Sequence, residues 1–144
     1  MRGFIKHKLN KFLTEQKEKR TVAGVLIKAN NTGRILLLLR NDDGEDPNLW
    51  SILTGGVEPG ETVLEGLKRE VSEEISINPD IVNYKFIEKK FIKEKNMDFY
   101  YYEGFTMSEF LPKLDHENSS YGWFGTDELP KPLYPGTKDK INSI

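Results

Sequence analysis

The sequence predicts a single α+β domain, and three observations carry that expectation. Length is the first: 144 residues and 16.6 kDa suffice to bury one substantial core and are too few for two. Composition is the second. Hydrophobic residues make up 37% of the chain and charged residues 31%, with Phe 8, Tyr 6 and Trp 2, a balance that excludes wholesale disorder and a coiled-coil rod. The third is the succession of hydrophobic periods, which runs helix, strands, helix, strands with no repeat and no interdomain linker.

Residues 1–20 place Phe4, Ile5, Leu9, Phe12 and Leu13 among lysines at helical spacing, which predicts an amphipathic helix packed on the domain or on a partner in a homodimer. This segment carries a net +5, whereas residues 21–144, expected to form the domain proper, carry −7. A general nucleic-acid surface is not expected of so acidic a body; the basic residues 1–20 alone would favour RNA or a membrane surface. From Thr21 the period becomes that of strands. Thr21–Ile27 and Arg34–Leu39 flank the turn residues Ala29–Gly33 and predict a hairpin. The run Ile35–Leu39 is apolar on both faces and predicts a central strand. Asn41–Asn48, with four acids, reads as a solvated loop.

Thr62–Ile75 is the one clear interior helix, with Leu64, Leu67, Val71 and Ile75 on one stripe and Asn78-Pro79 as its stop. Ile81–Lys95, Asp98–Met107 and Tyr121–Phe124 read as strands, and a short helix is expected after Gly136. The chain has no cysteine, which excludes a disulfide scaffold, a thiolate zinc site and a Cys nucleophile. Its longest aliphatic run, residues 35–39, is far too short for a membrane span. A cytoplasmic protein with no membrane partner is the expectation.

Chemistry concentrates in Gly55–Ile77, where a glycine-rich loop runs straight into a helix containing Arg69-Glu70-Val71-Ser72-Glu73-Glu74. At about 100° per residue, Glu70, Glu73 and Glu74 share one sector beside the apolar stripe. Three neighbouring carboxylates repel one another and raise each other's pKa unless a cation joins them. Oxygen-only donors suit a hard divalent ion, Mg2+ or Mn2+, and not zinc.

Gly55, Glu61, Arg69, Glu70, Val71, Glu73, Glu74 and Ile77 fall in a register that resembles the Nudix box: Gly, five residues, Glu, seven residues, Arg-Glu, an aliphatic, any residue, Glu-Glu, any residue, Gly, an aliphatic. Two positions depart from the family pattern. Ser76 stands where the family has a helix-ending glycine, and Thr54 where many relatives have the first of two glycines. Trp50, five residues before Gly55, and Tyr121–Pro130 extend the likeness over about Thr21–Pro135.

The resemblance implies a Nudix-type α/β/α sandwich with a mixed central sheet, preceded by the N-terminal helix. It implies hydrolysis of a nucleoside diphosphate derivative by attack of water on phosphorus, with a small-molecule nucleotide as substrate. By that resemblance Glu70, Glu73 and Glu74 bind the metal, with Glu117 and the Thr54 carbonyl as further ligands. Glu70, Glu73 and Arg69 are the catalytic candidates, and Arg69 orients Glu73 or Glu61 by a bidentate pair. Gly55, Gly56, Gly60 and Glu61 shape the loop. A (deoxy)nucleoside triphosphate is the first expectation for the substrate and a sugar nucleotide the second. An RNA pyrophosphohydrolase and an inactive Nudix-like binding domain are the alternatives, and the sequence assigns no substrate-binding residue.

Overall fold

A computed structural model of the chain describes residues 18–144; the helix expected over residues 1–20 lies, through residue 17, outside the described residues. Seven strands form one mixed sheet. β1 (Arg20–Ala29), β2 (Ile35–Arg40), β3 (Trp50–Ser51) and β4 (Leu53–Gly56) precede helix α1 (Val63–Ile75); β5 (Asn83–Ile92), β6 (Met97–Thr106), β7 (Asn118–Phe124) and helix α2 (Thr137–Ser143) follow it. The backbone path across the sheet is β3-β2-β1-β6-β5, with β4 pairing β1 and β7 pairing β2.

The predicted hairpin forms and then splays. β1 and β2 pair only at Ile27↔Leu36 and Lys28↔Ile35, beside the turn, where Gly33 takes φ 73°. Beyond that point β1 gives the same edge to β4, pairing Val22–Val25 with Gly56–Leu53. Its other edge runs parallel to β6 over ten residue pairs, a pairing that needs the crossover through α1. The fork between β2 and β4 opens the sheet, and the carboxylate helix packs on β4 and β1.

Two cores flank the sheet. Ala23, Val25, Ile27, Leu36, Leu38 and Leu53 pack against Leu67, Val71 and Ile75 of α1. Leu26, Ile35, Leu37, Ile52 and Tyr101 pack on the opposite face against Ile141 of α2. The alternation 25, 27 against 26, and 36, 38 against 35, 37, is the strand period at work. Ile35–Leu38 are all buried, as expected of a strand covered on both sides.

Several boundaries differ from expectation. The single strand read over Ile81–Lys95 is instead a 3-10 turn (Pro79–Ile81), β5 and a second 3-10 turn (Lys93–Lys95); Pro79 and the left-handed Asn96 (φ 46°) bend chain that the apolar pattern alone would extend. Gly55 and Gly56, read as loop, end β4, because the backbone of β1 supplies their ladder partners. Helix α1, by contrast, ends at Ile75 as expected, and Ser76 rather than Asn78-Pro79 makes the stop. Ser76 adopts φ 54°, ψ 42° and its N–H donates to the Ser72 carbonyl at 3.1 Å, so serine accepts the left-handed cap that glycine would make easily. Asn78 caps the next turn instead, its Oδ1 accepting from Asp80 N–H at 3.0 Å. No helix among the described residues is long and apolar enough to cross a membrane.

Candidate active site

Helix α1 begins with a capping box. Thr62 Oγ1 accepts from Glu65 N–H at 3.1 Å, and Glu65 Oε1 accepts from Thr62 N–H at 3.3 Å, which fixes the register of everything after it. Before the cap, Gly60 turns at φ 88°, and Glu61 Oε1 accepts from Glu58 N–H at 2.8 Å. Glu61 then takes Arg69 as a two-pronged partner: Nε to Oε2 at 2.8 Å and Nη2 to Oε1 at 3.1 Å. The same guanidinium donates to the Gly56 carbonyl at 2.8 Å, to Glu70 Oε1 at 3.0 Å and to Glu73 Oε2 at 3.2 Å. Arg69 thus ties the end of β4, the loop and the helix together. Its pKa is raised by the bond to Glu61 first and then by Glu70, and Glu61 is correspondingly held below the usual carboxylate range by Arg69.

Glu74 is different. Its side chain is buried at 3% exposure because its position on the helix places it next to the Val71–Ile75 stripe. Asn118 Nδ2 donates to Oε1 at 3.2 Å, while Oε2 is buried with no hydrogen-bond partner. Burial, followed by the charges of Glu117 and Glu70, pushes its pKa up to about 9. Glu70, partly buried, is also raised, chiefly by desolvation and against the pull of Arg69. The segment before β7 brings Glu117 here by docking on the end of α1: Lys113 N–H donates to the Ile75 carbonyl at 3.1 Å and Asp115 N–H to the Glu74 carbonyl at 3.2 Å. Asp115 Oδ1 in turn accepts from Glu117 N–H at 3.0 Å.

The structure therefore brings Glu70, Glu74 and Glu117 within mutual influence and leaves Glu73 exposed at the rim, paired to Arg69. No group of three His, Cys, Asp or Glu side chains among the described residues is drawn around one point as a metal would draw it. The donor set nevertheless fits a hard cation, on two observations. Glu74 presents a buried carboxylate oxygen with nothing to accept, which is costly without a counter-charge. Gly55 leaves just enough space for Glu70: a Cβ there would lie 2.6 Å from Glu70 Oε2 and overlap its Cγ and Cδ. Gly55→Ala should accordingly displace Glu70 and lower the hydrolytic rate tenfold or more with little change in Tm; rate and melting curve on one preparation check this.

Thr54, Gly55, Glu74 and Glu117 open onto a cavity of about 660 Å3 whose other walls carry several basic side chains together with the acids Glu45 and Asp46. Arg20 from β1, Arg40 from β2 and Lys140 from α2 line it, with Phe99 and Tyr134 as aromatic surface. Lys140 sits 5.7 Å from the Phe99 ring centre and 5.3 Å from that of Tyr101, and burial, then Lys90, lowers its pKa. Arg40 lies 5.7 Å from the Tyr134 ring centre. Among the described residues, none of these three cations has a carboxylate within 4.0 Å. Sequence reasoning missed them, together with Asn118, since each lies on a different element and follows no local spacing. Trp50 lies outside the carboxylate cluster and packs edge-on to Phe124 at 5.2 Å.

A model of the NUDIX domain matches residues 18–143. The chain belongs to the Nudix hydrolase family. Among curated Nudix relatives, the dihydroneopterin triphosphate diphosphatase of Escherichia coli strain K12 is 46% identical over 54 residues, 38% of this chain and 34% of that protein. The nucleoside triphosphatase NudI of Enterobacter sp. strain 638 is 37% identical over 67 residues, 46% of this chain and 47% of its own. The chain thus spans a third to a half of the length of these relatives. Solved structures share the fold more fully. The E. coli dihydroneopterin triphosphate pyrophosphohydrolase matches with TM-score 0.66 at 23% identity, covering 88% of this chain and 97% of its own. A MutT Nudix hydrolase from Burkholderia pseudomallei matches with TM-score 0.68 at 20% identity, covering 89% and 99%. The Nudix fold, a mixed sheet with two helices, is common to all of them.

Proposed function

We propose that this Nudix chain is a metal-dependent pyrophosphohydrolase that cleaves a diphosphate bond in a nucleoside triphosphate or a compound of similar triphosphate character. The observation that carries the reading is Glu74, a buried carboxyl with an unpartnered oxygen facing Glu70 and Glu117. Glu70, Glu73, Glu74 and Glu117, with the Thr54 carbonyl, would hold Mg2+ or Mn2+. Once bound, such an ion polarises phosphoryl oxygens and acidifies a coordinated water. The protein's own part is to hold the acids and to exclude bulk water around Glu74. Arg69 restrains Glu70 and Glu73 until a cation competes for them, and Glu70 or Glu73 takes the proton of the attacking water. Arg20, Arg40 and Lys140 would suit a substrate with more negative charge than the diphosphate of a sugar nucleotide, which supports triphosphates as the first reading and sugar nucleotides as the second. The names of the two curated relatives point to triphosphates as well.

A nucleotide panel assayed with Mg2+ for released phosphate and pyrophosphate tests the reading. Turnover should vanish with EDTA and return with added Mg2+, because the acids otherwise repel an anionic substrate. Full turnover in metal-free buffer would overturn the metal mechanism, and no turnover on any nucleotide would leave a binding domain.

A further inference from the structure

The sheet face that carries α1 is only partly covered. On β1 and β4 the helix seals it, but the outer strands β6 and β5 extend past the helix. Cross-strand partners share a face, so the pairs Phe86↔Tyr102, Lys89↔Tyr100 and Phe91↔Asp98 put Phe86, Tyr100 and Phe91 on this uncovered stretch. Phe86 is 51% and Phe91 55% exposed, and β5 is an edge strand of the sheet. Aromatic side chains on an unshielded edge invite aggregation, and folded proteins ordinarily cover them.

The described chain starts at this same place. Lys19 donates to Asp98 at 3.0 Å and stands 5.8 Å from the Phe91 ring centre, and Arg20 N–H donates to the Asn96 carbonyl at 3.0 Å. Whatever precedes residue 18 is therefore delivered to the rim of the exposed aromatic face. What precedes it is a sequence with Phe4, Ile5, Leu9, Phe12 and Leu13, an apolar set arriving at an exposed aromatic face. We propose that residues 1–17 of the chain are the occupant of the β5–β6 aromatic face, their apolar side chains covering Phe86 and Phe91. Leu9 lies ten residues before Lys19, a reach of about 15 Å if helical and about 33 Å if extended, so the whole face is accessible to it.

The absence of cysteine makes a cross-linking test clean. In the full chain, Leu9→Cys is combined with Phe86→Cys, and in a control with Lys90→Cys, which lies on the opposite face of the same strand. After mild oxidation, intact mass and non-reducing electrophoresis should show a linked monomer for the Phe86 pair at tenfold or more the yield of the Lys90 pair. Equal yields would overturn the proposal, and so would linkage only between two chains, which would assign the face to a second copy. A thermal-melt cycle gives a second readout. Leu9→Lys should lower Tm in the native background and leave it unchanged in Phe86→Lys/Phe91→Lys; additive shifts would overturn the contact.

Discussion

Glu74→Gln should abolish nearly all turnover while the metal-free protein melts at the native temperature or above it. In the metal-free state Glu74 is buried, raised to about 9 by desolvation and by Glu117 and Glu70, and so protonated at neutral pH. Glutamine mimics that neutral form and its carbonyl can still accept from Asn118 Nδ2. The metal-loaded state needs the ionised carboxylate, which glutamine cannot supply. Removing one electrostatic stabiliser of this kind lowers kcat by about two orders of magnitude or more. The pH dependence has a definite sign. Because the folded-state pKa lies above the ordinary value of 4.5, the native state holds a proton that the unfolded chain has lost between the two values. Stability of the EDTA-treated protein should be full below about 4.5 and decline as pH rises towards about 9. Glu74→Gln should flatten that decline. Denaturant titrations across this range, in EDTA, measure it. A near-native rate in the variant would show that the carboxylates of α1 are no more than a polar face.

How far the sequence reached is best seen by contrasting Glu74 with Lys140. The box residues sit in one short segment, and the helical period alone places Glu70, Glu73 and Glu74 beside Leu67, Val71 and Ile75; their convergence is a local fact. Even the bidentate Glu61–Arg69 pair depends on contacts within ten residues. Lys140, Arg40, Tyr134 and Asn118 meet through the forked sheet and the docking of the segment before β7 on the end of α1. Those are long-range events that no spacing announces. The register of β4 was hidden for a related reason: Gly55 and Gly56 have low strand propensity, and only pairing with β1 makes them strand. The end of α1 was legible: the apolar stripe places it at Ile75, and Ser76 takes the left-handed cap there although serine resists that region, with the 3-10 turn capped by Asn78 and the bonds from Lys113 and Asp115 to Ile75 and Glu74 following it.

Arg69→Ala is the second large effect, and it separates positioning from chemistry. Arg69 compensates Glu61, Glu70 and Glu73 at 2.8–3.2 Å and holds the Gly56 carbonyl, with its own side chain only 24% exposed. Alanine leaves those carboxylates facing one another, so the metal-free protein should lose several degrees of Tm. Lysine should not rescue it, because one ammonium cannot make the fork to Glu61 while reaching Gly56 and Glu70. Added Mg2+ should raise Tm by more in the variant than in the native protein, since Glu70 and Glu73 no longer have to be taken from a guanidinium. Turnover should nevertheless fall about 10–100-fold, the usual cost of removing a group that orients metal-binding side chains, because the loop carrying Glu61 and the end of β4 lose their common tether. Melting curves in EDTA and in Mg2+, with rates on the same samples, decide the matter. If Mg2+ stabilised the variant less than the native protein, Arg69 would be helping to hold the cation-bound arrangement rather than competing with it.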